Sequence, residues 1–350
     1  MSTRPAKLLT MDSQDESYRS LQKFIITHRQ EIEQLIGHGI RANVKRKILE
    51  SYLKLWEKKN KCRENKENIK RIIGNGESWI VGKLIGKGHY GKVYQGIHEK
   101  SRMPVAIKIS RGKGIVRAKD QAKIMKKLQR PFPRIYYAHV ITLPWYNHEA
   151  CFVLVMELLG ESLKHRIVKK LKLPPLSKMA SQMIDQLKIL HSQDILHRDQ
   201  KPQNWIFGIK KNSEDIHLID FGLSQQVQPY STNAKYAGSA RYSSENALLK
   251  IEQSYRDDLL SLGYVLAEIY TRLPWGRGWR KIEKEALDLS LEPPIGKMRK
   301  SMGEEKKYVD METFCSKLPT GLCKFIKRAK RMEFGEVPNY ERLKEYFNEK

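Results

Sequence analysis

No stretch of this 350-residue chain stays apolar for long. The longest strongly apolar runs, Phe152 to Met156 and Leu262 to Leu266, fall far short of the roughly 20 residues a membrane-spanning helix needs, so no transmembrane helix is expected. Met1 to Thr10 carry charges and Pro5 but no continuous apolar segment of the secretory kind, and export is not expected either. Cysteine is scarce. Cys62, Cys151, Cys315 and Cys323 stand too far apart for a Cys-x-x-Cys pair and are too few to staple a chain of this length. Reduced thiols and a cytoplasmic or nuclear location are therefore expected. Acidic residues are short relative to basic ones: 39 Asp and Glu face 66 Lys and Arg, a formal charge of +27. Such an excess points to nucleic acid, an anionic membrane or acidic protein partners. With 40% apolar residues the chain can bury a sizeable core, over two or three folding units.

Residues 1–11 show no periodicity and are expected to be disordered. From Asp12 or Ser13, a plausible helix cap, apolar residues recur at Leu21, Phe24, Ile25, Ile32, Leu35 and Ile36. Gly37-His38-Gly39 interrupts them, and a second helical pattern follows through Val44, Ile48, Tyr52, Leu55 and Trp56. Residues 12–70 thus read as a helical hairpin and linker. The hairpin either packs against the rest of the chain or docks a partner or nucleic acid. At Trp79 the pattern changes to short β-type runs punctuated by glycine. Helical spacing returns from Ile115 to Gln129, Cys151 to Met156 reads as a buried strand, and beyond Leu163 the chain is mainly helical. Strand-like interruptions fall near Trp205 to Phe207 and His217 to Ile219.

Chemistry concentrates in His197-Arg198-Asp199-Gln200-Lys201-Pro202-Gln203-Asn204 and in Asp220-Phe221-Gly222. A carboxylate to accept a hydroxyl proton, a lysine two residues on, an amide three further and a second carboxylate are the parts needed to hold magnesium and transfer a phosphoryl group. Upstream, Gly86-Lys87-Gly88-His89-Tyr90-Gly91-Lys92-Val93 is followed by another strand-like run rather than a helix, unlike a dinucleotide fold. A glycine hairpin lets backbone amides approach triphosphate oxygens, and Lys108 in Val105-Ala106-Ile107-Lys108 can neutralise the α and β phosphates. Residues 1–70 hold 16 Lys and Arg against 9 Asp and Glu, a net +7, so the remaining +20 lies in the segment with this signature. The charge favours a negatively charged substrate over a nucleic-acid-binding tail.

These residues, in this order and spacing, resemble the eukaryotic protein kinases. Met156-Glu157-Leu158-Leu159-Gly160, Gly238 to Asn246 and Ile251 to Tyr264 resemble the casein kinase I family in particular, with Ser244-Glu245-Asn246 close to that family's Ser-Ile-Asn sequence. The resemblance implies an α+β, bilobal kinase fold behind the helical extension: a small β-rich lobe over 71–159 and a larger α-helical lobe over 160–350. It implies ATP and Mg2+ as cofactors, with Ile85 to Val93, Lys108, Glu157 and Leu159 on the nucleotide and Asn204 and Asp220 on the metal. Asp199 would orient the acceptor hydroxyl and take its proton. Lys201 would stabilise charge on the γ-phosphate, as in serine/threonine kinases. His197 is expected to support the loop structurally, and Asp257 to bond its backbone. Substrates would be proteins with serine or threonine near acidic or phosphorylated residues, read by Arg241 and a lysine near Lys281. One departure concerns the helix acid that pairs with the lysine, where Asp120 and Gln121 are the candidates and the match falls on Gln121. A kinase-fold scaffold with little catalysis is the alternative this motivates; a second is nucleic-acid binding through the basic helix around Lys45 to Lys61.

Overall fold

The computed structural model describes residues 70–88, 91–209, 213–276 and 295–348, all within the compact unit Lys70–Lys350. The disorder expected for 1–11 and the helical hairpin expected to follow it lie outside the described residues, as do His89, Tyr90 and Lys281. Strands β1 (Arg71–Gly74), β2 (Glu77–Gly88), β3 (Gly91–His98), β4 (Pro104–Arg111), β5 (Ile135–Leu143) and β6 (Glu149–Glu157) form one sheet in the order β1-β2-β3-β4-β6-β5, every pair antiparallel. The sheet starts earlier than the change of pattern at Trp79 suggests. Asn75 and Gly76, both at positive φ, turn β1 back onto β2, and this Asn-Gly pair is the sequence signal for the hairpin.

Successive side chains on a strand face opposite ways, which explains why β4 and β6 are apolar throughout. Val105, Ile107 and Ile109 of β4, with Cys151, Val153 and Val155 of β6, bury the outer face with Ile72, Trp79 and Tyr137. Ala106, Phe152, Leu154 and Met156 face inward onto helix α1 (Gly114–Lys127). Lys108, two residues from Ala106, takes that inner face too. On α1 the buried residues are Gly114, Ala118, Gln121, Ala122 and Met125, a stripe at helical spacing.

The remaining residues form a helical lobe: α2 (Leu163–Lys169), α3 (Leu176–His191), α4 (Glu245–Leu248), α5 (Tyr255–Tyr270), α6 (Ile295–Lys307), α7 (Met311–Cys315), α8 (Thr320–Arg331) and α9 (Tyr340–Glu345). Two small antiparallel pairs, β7 (Ile195–Leu196) with β10 (Gln225–Gln226) and β8 (Trp205–Phe207) with β9 (Ile216–Leu218), hold the loops between α3 and α4. Helix α5 is the axis of this lobe. A capping box between Ser254 and Asp257 starts it, and every residue from Asp257 to Ala267 is buried, the all-round pattern of an interior helix. Each fully buried leucine there contributes roughly 1.5–3 kcal/mol of transfer free energy.

The fold is mixed α+β, as the sequence suggests, with a sheet-rich first region and a helical second one. No described helix is long and apolar enough to cross a membrane. One expectation fails: Cys315 and Cys323 are not both reduced thiols but are joined as a disulfide, with 5.3 Å between their Cα atoms. The eight-residue separation rules out a Cys-x-x-Cys pair, yet the short connection between α7 and α8 brings the two side chains together. Cys151 is free and buried.

Candidate active site

The Asp199 loop runs between β7 and β8 and is held from below by α5. Backbone amides of His197 and Arg198 donate to the two carboxylate oxygens of Asp258 at 2.6 and 2.9 Å, and Gln200 Nε2 donates to the Asp258 carbonyl at 3.0 Å. The family resemblance implies Asp257 for this anchoring, but the residue that provides it is the next one, Asp258. Asp257 is spent on the helix cap, accepting from the Ser254 amide at 2.7 Å and from Asn246 Nδ2 at 2.9 Å. One residue is about 100° around a helix, so the two neighbouring acids serve different walls. Nε2 of His191 meets Asp258 at 3.2 Å, while its Nδ1 meets the Tyr340 hydroxyl at 2.7 Å. Burial pushes the Asp258 carboxyl up, but His191, His197 and the Arg198 amide outweigh it and hold the group below its ordinary range. At Asp257 burial outweighs the bonds from Ser244, Ser254 and Asn246 and the nearby Arg256, and its carboxyl is raised.

His197 is a support, as expected. Nε2 donates to the Ile219 carbonyl at 3.1 Å, Nδ1 accepts from the Asp199 amide at 3.3 Å, and the ring packs edge-on to Phe221. Asp199, 6% exposed, has both carboxylate oxygens engaged: Ser239 Oγ donates to Oδ1 at 2.7 Å and Lys201 Nζ to Oδ2 at 2.6 Å. Asn204 Nδ2 donates to the Asp199 carbonyl at 2.9 Å, and the Asn204 carbonyl in turn accepts from the Ile219 amide next to Asp220. Ser239 lies within the Gly238–Asn246 stretch, but nothing in the chain order shows that it reaches Asp199 across 40 residues. Its approach depends on Gly238 (φ 112°), where a Cβ would lie 2.4 Å from the Arg198 carbonyl oxygen.

Lys108 closes the site from the sheet, donating to Asp220 Oδ1 at 2.8 Å and Gln121 Oε1 at 2.7 Å. Burial pushes the Asp220 carboxyl up, yet Lys108, with Lys201 and His197 adding to it, keeps it below its ordinary value. Of the two helix candidates, Gln121 faces Lys108 and Asp120 does not. Gln121 belongs to the buried stripe and is 2% exposed, whereas Asp120 points to solvent beside Lys123. Lys108 therefore has one carboxylate neighbour in place of two.

Of the glycine hairpin, Ile85, Gly86, Lys87 and Gly88 lie on β2 and Gly91, Lys92 and Val93 on β3, with Gly88 opposite Gly91 and Val93 opposite both Gly86 and Lys108. Glu157 ends β6 with its carboxylate on Arg130 at 3.0 Å and on the Arg134 amide at 3.3 Å. Leu159 follows in the segment that joins the lobes, where the Gly160 amide bonds to the Phe207 carbonyl at 2.7 Å. Arg241, taken from the sequence as a substrate-anion contact, carries an internal anion: its Nε donates to Glu268 at 3.2 Å, and Lys164 and Tyr242 meet the same carboxylate. Glu268 lies on α5, 27 residues away, so chain order hides the pairing.

The arrangement therefore gathers Lys108, Asp199, Lys201, Asn204 and Asp220 between a glycine hairpin and a loop anchored to a buried helix. The family model described as Protein kinase domain matches residues 79–331, well over half of the chain and inclusive of all five of these residues. By that match the chain belongs to the protein kinase domain family.

Proposed function

We propose that this kinase domain transfers the γ-phosphoryl group of ATP to serine or threonine hydroxyls of proteins, as a casein kinase I type enzyme. The observation that carries the reading is the fixed carboxylate of Asp199 between Lys201 and Ser239. Asp199 accepts the acceptor hydroxyl proton while the new oxygen–phosphorus bond forms and the bond to the leaving diphosphate breaks. Lys201, anchored on Asp199, offers its charge to the transferring group, and Lys108 orients the phosphates. Catalysis then rests on positioning and charge, with no covalent enzyme intermediate.

The donor set suits magnesium. An ionised carboxylate on Asp220 and an amide oxygen on Asn204 are hard ligands, and Asn204 spends its nitrogen, not its oxygen, on the loop. Two protein ligands need phosphate oxygens and water to complete the shell; among the described residues no cluster of three or more His, Cys, Asp or Glu is poised for a metal. Magnesium bound there would neutralise charge developing on phosphate oxygens.

Preference for acidic or phosphorylated neighbours is supported by the basic surplus of the chain. Arg241 would serve it only by exchanging Glu268 for a substrate anion. Incubating the purified full chain with radiolabelled Mg-ATP and dephosphorylated casein tests the reading: label on serine and threonine is expected, and label on tyrosine alone, or none, overturns it.

Gln121 favours one other reading, a scaffold that keeps the fold and catalyses little. Charge-assisted hydrogen bonds are roughly twice as strong as neutral ones, so Gln121→Glu should strengthen the hold on Lys108. A fall of about three- to tenfold in KM for ATP is expected, equivalent to about 1 kcal/mol. If neither the wild type nor Gln121→Glu transfers label, the scaffold reading is the one that stands.

A further inference from the structure

Helix α6 is strongly polar, and its lysines would ordinarily lie in water. Lys306 does not: among the described residues it is the lysine with no exposure at all. Its ammonium donates to the carbonyl oxygens of Ala240 at 2.9 Å, Arg241 at 3.1 Å and Ser243 at 2.5 Å. The rings of Trp275 and Tyr264 sit 4.8 and 5.0 Å from the nitrogen. Three acceptors need three N–H donors, which only the protonated amine has, and two aromatic faces favour the cation further. The cavity is built for an ammonium even though burial pulls this lysine well below its ordinary range.

Burying such a charge is costly, and desolvation offsets much of what its bonds gain. Its effect is on backbone conformation. Carbonyls 240, 241 and 243 converge on one point, and their oxygens would repel without a cation between them. Trp275 Nε1 adds a donor to the Arg241 carbonyl at 2.8 Å. The same turn closes on Ser239, whose carbonyl accepts from the amides of Tyr242 and Ser243, both at 2.9 Å, and whose hydroxyl reaches Asp199. On its far side the turn is pinned by α6; on its near side it touches the proton acceptor.

We propose that Lys306 is a positioning residue that holds the segment Gly238–Ser244 in the shape required to seat a protein acceptor against Asp199. The proposal rests on the protein-kinase reading given above. The Lys306 side chain is walled off from the cleft by the turn itself, so it acts through backbone carbonyls and touches no reacting atom.

The test compares the full-length wild type with Lys306→Met, which keeps the stem and removes every donor. The expected result is a folded variant whose midpoint of thermal unfolding is lower, because buried carbonyls lose their donor, and whose KM for ATP is within twofold of wild type. Its kcat/KM for a protein acceptor falls at least tenfold, and amide hydrogen exchange at Tyr242 and Ser243 speeds up at least tenfold. Acceptor kinetics and exchange both within twofold of wild type would overturn the proposal. So would a parallel rise in KM for ATP, which would mark a general loss of structure. If Lys306→Met does not fold, the same readings are taken from Lys306→Gln, which keeps two donors and should fall between the extremes. A wild type that transfers no label to any protein refutes the protein-kinase reading instead, and the exchange measurement still decides whether Lys306 holds the turn.

Discussion

Asp199→Asn should reduce phosphate transfer to a dephosphorylated acidic protein by about a hundred- to ten-thousand-fold, the range that general-base catalysis spans. Asparagine keeps the shape of the side chain but loses the basic oxygen. It also puts an NH2 group where Ser239 or Lys201 now donates, so at least one of those bonds is lost with the charge. The buried supports of the loop lie elsewhere, on Asp258, and the fold should survive. The check is radiolabel transfer at saturating Mg-ATP beside circular dichroism and KM for ATP. Wild-type turnover in a folded Asp199→Asn protein would show that another group takes the proton.

The second large effect concerns stability. Asp258→Ala removes a carboxylate that is 2% exposed and takes the partner from the amides of His197 and Arg198 and from Nε2 of His191. Breaking a buried charged network costs about 3–5 kcal/mol, and urea unfolding at neutral pH should show a loss of that order. The acid limb should change as well. The folded Asp258 carboxyl titrates below its ordinary value, so the unfolded chain binds more protons in that window. The stability it contributes is complete above the unfolded pKa of about 3.9 and drains away as pH falls through the lower folded value. Asp258→Ala should therefore lose less stability than wild type on acidification. Asp257 has the opposite sign: its folded carboxyl is raised, so what it contributes is present at low pH and is lost as pH rises through the folded value. A steeper acid limb in Asp258→Ala than in wild type would contradict the assignment.

Much of the site is legible in the chain because its parts are local. The Asp199 loop and Asp220 carry their chemistry within short stretches, and strand alternation alone puts Lys108 on the inner face with Ala106. Helix periodicity could also have decided between Asp120 and Gln121, since only Gln121 shares a stripe with Ala118, Ala122 and Met125. The Asn75-Gly76 pair likewise announces the first hairpin. What stayed hidden depends on contacts across long separations. Ser239 meets Asp199 over 40 residues, and Glu268 neutralises Arg241 over 27. Lys306 reaches its carbonyls over more than 60, on a helix whose composition reads as surface. Backbone conformation is equally opaque: Arg198 (φ 67°) and Asp220 (φ 66°) both sit in the left-handed region, which sequence does not demand of them. Residues held there commonly mark sites where geometry is imposed by the surroundings.

The apolar interior also constrains how the cleft moves. Ala106, Phe152 and Leu154 of the sheet, Phe132 and Phe221, and the helices below belong to a single continuous cluster, whereas the outer-face cluster closes on itself. Phe132 and Phe221 meet edge to face, 5.7 Å apart, as a link in this column. Pulling the lobes fully apart would hydrate both halves of it, at a penalty that grows with the area bared. A rotation that kept the column in contact would avoid that penalty, whereas a separation of the lobes would incur it in full.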